Sequence, residues 1–154
     1  MKKSFLFLLF AMSYVAVLNA QVDKRAIGVR FGGFSAYGGE ITFQQPLSTA
    51  NRLEIDLGLV NSSFELTGLY QWVKPLPQLY EGFSWYYGFG AGVGTFYNTA
   101  GISAFGVGAF GQIGLQYNFD FPLQLTLDYR PGIYVIPTIA PTYDGVYLAA
   151  RYCF

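Results

Sequence analysis

The chain has 154 residues, a formal net charge of zero and no histidine, and 53% of its residues are hydrophobic while 19% are aromatic. This length is enough for one domain. Without histidine, the chain cannot assemble a Ser–His–Asp triad or most zinc sites. No strongly basic segment favours a nucleic acid as a partner. We therefore expect no enzymatic activity, no catalytic residues, no metal site and no cofactor.

Residues 1–20 have the layout of a secretory signal peptide. Two lysines form its basic start, residues 4–18 form its apolar run, and Ala20 ends a plausible cleavage site. The run is short for a membrane-spanning helix, although an uncleaved anchor is the alternative. We predict that residues 21–154 form one exported domain. Its net charge is −2, because two of the nine basic residues belong to the signal peptide.

The rest of the chain divides into eight segments in which apolar residues occupy every second position. In chain order these segments cover residues 27–32, 40–46, 52–59, 64–72, 83–94, 105–117, 123–130 and 146–154. Alternation with period two places the apolar residues on one face of a strand. Asn, Gly and Pro residues interrupt the pattern between segments. We predict eight antiparallel strands with short connections, apart from a longer connection from Lys74 to Gly82.

The charged residues of these segments lie at the positions opposite to the apolar ones. The predicted lumenal polar network comprises Arg30, Glu40, Glu54, Asp56, Glu65, Asp128, Arg130 and Arg151. In a soluble β-sandwich the apolar faces would form a core, whereas in a membrane barrel they face lipid and the charges face the lumen. The alternation by itself leaves both possibilities open. Because an unpaired buried charge is costly, we expect Glu54 and Asp56 to flank an arginine rather than to catalyse acid–base chemistry.

Glycines occupy this same face on the fifth and sixth segments. The predicted glycine wall comprises Gly88, Gly90, Gly92, Gly94, Gly106, Gly108 and Gly114. The interior of an eight-stranded barrel is just wide enough to be filled by side chains. We expect the glycines to make room for bulky residues of the opposite wall, such as Arg30, Arg130 and Tyr147. The alternative is a narrow pore or a cleft for a small ligand.

Aromatic residues on the apolar faces collect at one level when the strands are threaded up and down. Four strands or their ends contribute to this aromatic belt, with Tyr70, Trp72, Phe83, Trp85, Tyr87, Tyr117, Tyr152 and Phe154. Amphipathic rings prefer the headgroup region of a bilayer. The belt therefore favours a membrane barrel over a soluble sandwich.

The final segment, VYLAARYCF, alternates strictly and ends on an aromatic residue. This ending resembles the C-terminal signature of bacterial outer-membrane β-barrels. By that resemblance, Tyr152 and Phe154 would form the assembly signal recognised by the barrel-assembly machinery. The strand count, the belt and the segment LTLDYRPG at 125–132 extend the resemblance over nearly all of the exported domain. The chain resembles small outer-membrane barrels of the OmpX and OmpA-transmembrane type.

The resemblance implies an all-β, eight-stranded antiparallel up-and-down transmembrane barrel in the outer membrane of a Gram-negative bacterium. We expect a porin-like monomer, surrounded by outer-membrane lipid, with a structural role in the envelope or a loop-mediated interaction. The alternative is a narrow channel or a binding site for a small apolar solute, and no ligand can be named. A soluble lipocalin-like carrier is a third possibility, which the aromatic belt and Phe154 disfavour. Outer-membrane barrels with enzymatic activity resemble one another in needing a histidine, so this chain departs from them.

Overall fold

The computed structural model describes residues 24–32, 39–60, 63–76, 79, 81–97, 103–142 and 145–154. The predicted signal peptide lies outside these residues. Within the described ranges, no helix is long and apolar enough to cross a membrane.

Ten β-strands make up the ordered structure that these residues form. They are β1 (Ala26–Gly32), β2 (Gly39–Pro46), β3 (Asn51–Val60), β4 (Ser63–Pro75), β5 (Phe83–Tyr97), β6 (Ser103–Asn118), β7 (Leu123–Tyr129), β8 (Gly132–Ile136), β9 (Ala140–Thr142) and β10 (Val146–Cys153). Every pairing between them is antiparallel.

The strands close into a ring with the order β1-β2-β3-β4-β5-β6-β7-β10, and β10 pairs with β1. The two short strands extend this ring rather than adding to it. β8 pairs with residues 107–110 of β6, which precede the residues 113–118 that pair with β7. β9 in turn pairs with β8. β7 and β8 therefore form the seventh strand of the barrel wall, and β9 and β10 form the eighth. We call each of these eight strands of the wall a stave. The predicted all-β, eight-stranded antiparallel up-and-down barrel is confirmed.

All eight predicted segments are staves of the barrel, but two details differ from the sequence prediction. Lys74 belongs to β4 instead of a connection, because β4 continues to pair with β5 as far as Pro75. The short strands β8 and β9 were not predicted, since Pro131, Pro137 and Pro141 interrupt the alternation there. The seventh stave stays hydrogen-bonded to β6 between the end of β7 and the start of β8, because the N–H of Gly111 donates to the carbonyl of Pro131 at 2.9 Å.

The seam of the barrel is the pairing of its first and last strands. β1 and β10 form seven consecutive partner pairs, from Ala26 with Cys153 to Gly32 with Tyr147. Beyond the strand, the N–H of Phe154 donates to the carbonyl of Arg25 at 2.8 Å. We call the end of the barrel that holds this contact the lower end, and the opposite end the upper end.

The polarity of this barrel is the reverse of a soluble protein's. The side chains turned into the ring are buried and include nine charged residues, whereas the large exposed side chains on the strands, apart from Lys74, are aliphatic or aromatic. Arg30 is 0% exposed, for example, while its neighbour Phe31 is 55% exposed. The alternation of the sequence thus becomes a polar interior and an apolar outer wall.

Candidate functional site

The interior of the ring contains all eight residues of the predicted lumenal polar network. Each is less than about a tenth exposed, and together they lie on six of the eight staves. Their ion pairs divide into an upper cluster around Arg30 and Arg130 and a lower cluster around Arg151.

Arg30, on β1, is the centre of the upper cluster. Its Nη1 donates to Glu40 Oε2 of β2 at 3.2 Å and to Asp56 Oδ2 of β3 at 3.0 Å. Its Nη2 donates to Asp128 of β7. One guanidinium group therefore connects its own strand with two strands on one side, β2 and β3, and with β7 on the other.

Arg130 shares two of these carboxylates. Its Nη1 donates to Asp56 Oδ2 at 2.9 Å, and its Nη2 donates to Glu40 and, at 3.3 Å, to the hydroxyl of Tyr147. The Cζ atoms of Arg30 and Arg130 lie 3.9 Å and 4.7 Å from the centre of the Tyr147 ring. Two like charges can be neighbours here because the carboxylates bridge them and the π face of the ring attracts both cations.

Glu65 lies at the edge of the upper cluster. Its Oε1 is 3.9 Å from Arg130 Nη2, and it accepts hydrogen bonds from the hydroxyls of Tyr134 at 2.8 Å and Thr67 at 3.3 Å. Neutral donors thus supply most of the compensation of this carboxylate, which is 7% exposed.

Arg151, on β10, organises the lower cluster. Its Nη2 donates to Glu54 Oε2 of β3 at 3.0 Å. Its other N–H groups donate to the hydroxyls of Thr42 at 3.1 Å and Thr126 at 3.0 Å. Glu54 and Asp56 thus have separate guanidinium partners and both flank arginines, an arrangement that holds charges in place and positions no free general base.

A fourth buried guanidinium group, that of Arg52, was left out of the predicted network. Its Nε donates to Gln71 at 2.5 Å and its Nη1 to Gln116 at 2.6 Å, while its Cζ lies 4.7 Å from the centre of the Tyr86 ring. No carboxylate among the described residues lies within ion-pair distance of it. The sequence signal that could have identified Arg52 is its position two residues before Glu54, which places both side chains on the same face of the strand.

Amide side chains join the two clusters and were also not predicted as members of the network. Gln112 donates from Nε2 to Glu54 at 3.1 Å and to Asp128 at 3.0 Å, and it accepts a hydrogen bond from Gln71 at 2.5 Å. Gln44 donates to Glu54 at 2.6 Å. The hydroxyl of Tyr86 donates to Asp128 at 3.0 Å. Because Gln112 contacts a carboxylate of each cluster, the two clusters form one connected network.

The glycines of the predicted wall lie on the inner face of β5 and β6, and two pairs of them are directly opposite: Gly92 with Gly108 and Gly94 with Gly106. The side chains that pack closest to these glycines are aromatic rings rather than the expected Arg30, Arg130 and Tyr147. A Cβ atom at Gly92 would lie 2.8 Å from the Phe110 ring, and one at Gly114 would lie 2.8 Å from the Tyr86 ring. These rings belong to β6 and β5 themselves, whereas Arg30 and Tyr147 pack on each other. The remaining wall residues are Gly88 and Gly90.

The aromatic belt lies on the outer face, largely at the lower end. Trp72 stacks on Tyr87 with ring centres 5.4 Å apart, and Tyr87 stacks on Trp85 at 5.3 Å. Further ring contacts join Tyr70 to Trp72, Phe83 to Tyr117, Tyr152 to Phe154, and two rings that were not predicted, Phe119 and Phe121. The belt and the ion network are therefore separate features, one on each side of the wall.

No metal-binding group of three or more His, Cys, Asp or Glu side chains occurs among the residues that the structure describes. Three buried polar atoms in that part of the chain make no hydrogen bond, namely Arg30 Nε, Arg52 Nη2 and Asp56 Oδ1. The interior can hold the strands together electrostatically, since its carboxylates pair with Arg30, Arg130 and Arg151 and its fourth guanidinium group, that of Arg52, is held by amide side chains.

We predict that Arg30→Met destabilises the barrel by about 3–5 kcal/mol, because it leaves Asp128 without a guanidinium partner and leaves Glu40 and Asp56 with Arg130 alone. Unfolding by urea in detergent micelles, followed by the loss of the fast-migrating folded band on a gel, measures this. Arg25→Met is the matched control, since Arg25 is exposed and its side chain donates to the neutral amide of Gln45; its effect should stay within about 0.5 kcal/mol. Equal unfolding midpoints for the two variants would contradict a stabilising network.

We also predict that Gly108→Leu destabilises the barrel by about 1–3 kcal/mol through overpacking. A Cβ atom there would lie 3.0 Å from the carbonyl oxygen of Ile133 and 3.2 Å from the Phe110 ring. Gly111→Leu, on the outer face of the same strand, is the control, because a Cβ atom at Gly111 would have nothing within 4 Å. The same urea titration compares them. A stable Gly108→Leu variant that alters solute passage would instead indicate a pore at the glycine wall.

No family model matches the chain, and no curated protein matches it. Among solved structures, the crystal structure of Neisserial surface protein A (NspA) is similar to this chain, with 13% sequence identity and a TM-score of 0.48. The similarity covers 84% of this chain and 92% of that chain. The strand order and polarity of this chain give it the architecture of the small eight-stranded outer-membrane barrels, a closed antiparallel ring that is apolar outside and charged inside.

Proposed function

We propose that this chain is a non-enzymatic integral outer-membrane β-barrel of a Gram-negative bacterium, with a structural role in the envelope or a role in presenting its upper connections to a partner. The observation that carries the proposal is the inverted polarity. Nine charged side chains are buried inside the ring while the outer wall exposes aliphatic and aromatic ones. Soluble monomers rarely expose so large an apolar surface to water, whereas the outer wall of a membrane barrel is apolar because it contacts lipid.

The position of the aromatic belt supports a membrane location independently of the polarity. Indole and phenol rings prefer the interface between hydrocarbon and headgroups. The stacked rings of Trp72, Trp85 and Tyr87 lie on neighbouring strands near the lower end. If the lower end faces the periplasm, these rings lie at the level of the inner-leaflet headgroups.

The filled interior supports a structural role over a transport role. Side chains reach across the ring: Arg130, which follows β7, contacts Asp56 of β3, and Arg52 of β3 contacts Gln116 of β6. The interior of an eight-stranded barrel is just wide enough for side chains, so such contacts leave little open cross-section for a solute. A narrow passage for a small solute remains the alternative function, and the conductance experiment below decides between the two.

We expect the protein to fractionate with the outer membrane and an unboiled sample to migrate differently from a boiled one on a denaturing gel, because a closed barrel resists the detergent. Purified protein in planar bilayers should give no conductance above the baseline of a protein-free bilayer. Recovery as a soluble periplasmic protein would contradict the membrane assignment. A stable unitary conductance would favour the channel.

We further propose that the barrel-assembly machinery recognises the end of β10, with Tyr152 and Phe154 as the signal. Phe154 is 55% exposed on the outer face and its backbone continues the seam with Arg25. Phe154→Asp should lower the amount of folded protein in cells, because a charge replaces an aromatic residue where the final strand must be recognised and close the barrel edge. Leu59→Asp, exposed at the upper end of β3, controls for the charge itself. Equal folded amounts of Phe154→Asp and the parent would exclude Phe154 as the signal.

A further inference from the structure

Lys74 is the exception to the charge distribution of this barrel. The other charged side chains on the described strands point into the ring, whereas Lys74 lies on the outer face, in phase with Tyr70 and Trp72, and is exposed. It lies near the lower end of β4, directly opposite Trp85 of β5. A lysine on a lipid-facing wall is costly at the bilayer midplane but nearly neutral at the interface, where its stem can carry the ammonium group towards the headgroups.

An apolar groove begins beside Lys74 on the same outer wall. Its volume is about 650 Å³, and it is lined by Leu76, Trp85, Ile113, Leu115, Leu127, Tyr129 and Val146, with Gly114 and Asp128. This volume lies within the range of about 300–1,000 Å³ that is typical of small-molecule sites.

Two cross-strand rows of side chains form the walls of this groove. Trp85, Leu115 and Leu127 are register partners on β5, β6 and β7 and form one row. Ile113, Tyr129 and Val146 form the other row on β6, β7 and β10. Between the rows, Gly114 is paired with Asp128, whose side chain turns inward to Arg30. The backbone of that pair therefore forms the floor.

We propose that Lys74 and this groove together bind one anionic glycerophospholipid, with a phosphate at the Lys74 ammonium group and an acyl chain in the groove. The inference rests on the proposed membrane location and adds a specific lipid site to it. Charge complementarity selects the headgroup, since Lys74 is a positive charge on an outer wall that carries no other charged side chain among the described strand residues. The apolar lining next to it accommodates a chain, because an acyl chain makes van der Waals contacts with these side chains.

A glycerophospholipid fits these features better than a free phosphate ion does. One exposed ammonium group, without a second cation beside it on the strand wall, attracts an ion only weakly in water. A lipid adds the apolar contact of its chain to the same electrostatic attraction. A basic residue near a membrane surface contributes about a fivefold preference for an anionic lipid.

Tryptophan fluorescence in vesicles tests the proposal, since the chain contains only two tryptophans. In a Trp72→Phe background, Trp85 of the groove wall is the single reporter. The vesicles consist of phosphatidylcholine and increasing amounts of one brominated lipid, either phosphatidylglycerol or phosphatidylcholine. The bromine atoms are on an acyl chain and quench the fluorescence of an adjacent indole. We expect about a fivefold preference of the Trp85 site for the brominated phosphatidylglycerol, decreasing at high salt.

Matched variants separate the contributions of headgroup and chain. Lys74→Gln should abolish the preference, whereas Lys74→Arg should retain it. Leu127→Phe, which fills the groove, should reduce the quenching of Trp85, whereas Ile55→Phe on β3, outside the groove, should not. An excess of inorganic phosphate should displace no more lipid than sodium chloride of the same ionic strength.

Each contrary outcome has a definite meaning. Equal quenching by the two brominated lipids in the parent, or a preference that survives Lys74→Gln, would overturn the lipid site while leaving the membrane barrel intact. Specific displacement by inorganic phosphate would assign Lys74 to a free ion instead of a lipid. Absence of quenching by either lipid would contradict membrane insertion itself, so failure of this inference and failure of the proposed function are distinguishable.

Discussion

The pairing of charges inside the ring is the constraint on which the rest of this structure depends. Five carboxylates and four guanidinium groups are buried there. A buried ion without a partner costs several kcal/mol, on the order of 3–5 kcal/mol when one member of a pair is removed. Each charged strand can therefore occupy only the register that brings its charge to its partners. The side chain of Arg30, bound to β2, β3 and β7, fixes the heights of three strands relative to its own.

The network also crosses the seam where the two ends of the sheet meet. From β1, Arg30 reaches past β10 to Asp128 of β7; from β10, Arg151 reaches past β1 to Thr42 of β2 and Glu54 of β3. The seam is thus held by backbone hydrogen bonds within the wall and by charged contacts on its inner side. An unpaired edge of a sheet is a template for aggregation, so a closure that is held from both directions protects the strands that would otherwise be edges.

Filling the interior with long polar side chains has a steric consequence for the wall. The rings of Tyr86 and Phe110 and the amide of Gln112 need space in a barrel of the smallest common size. Glycine at the positions facing them supplies it, as the short distances from Gly92 and Gly114 indicate. Because all the charged side chains on the described strands except Lys74 lie inside, the outer wall is largely apolar. The aromatic belt and the groove beside Lys74 are features of that wall alone.

The sequence by itself determined the number of staves, the face of nearly every strand residue and eight of the nine buried charged members of the network. These follow from local chemistry, because a strand has period two and the polarity of each residue assigns it to one face. Turn residues between the segments then gave the strand boundaries to within a few positions. Lys74 shows the limit of this reasoning, since only its pairing with β5 extends β4 far enough to include it.

Only the tertiary structure decided which charges pair, because partners such as Arg30 and Asp128 are far apart in the chain and meet through ring closure. The same holds for the linking role of Gln112, the absence of a carboxylate partner for Arg52 among the described residues, and the rings above the glycines. Alternation assigns a residue to the inside or the outside of a wall. It does not specify how far around the ring or along its axis two inward residues lie, and that depends on strand order and register, which arise from all the strands together.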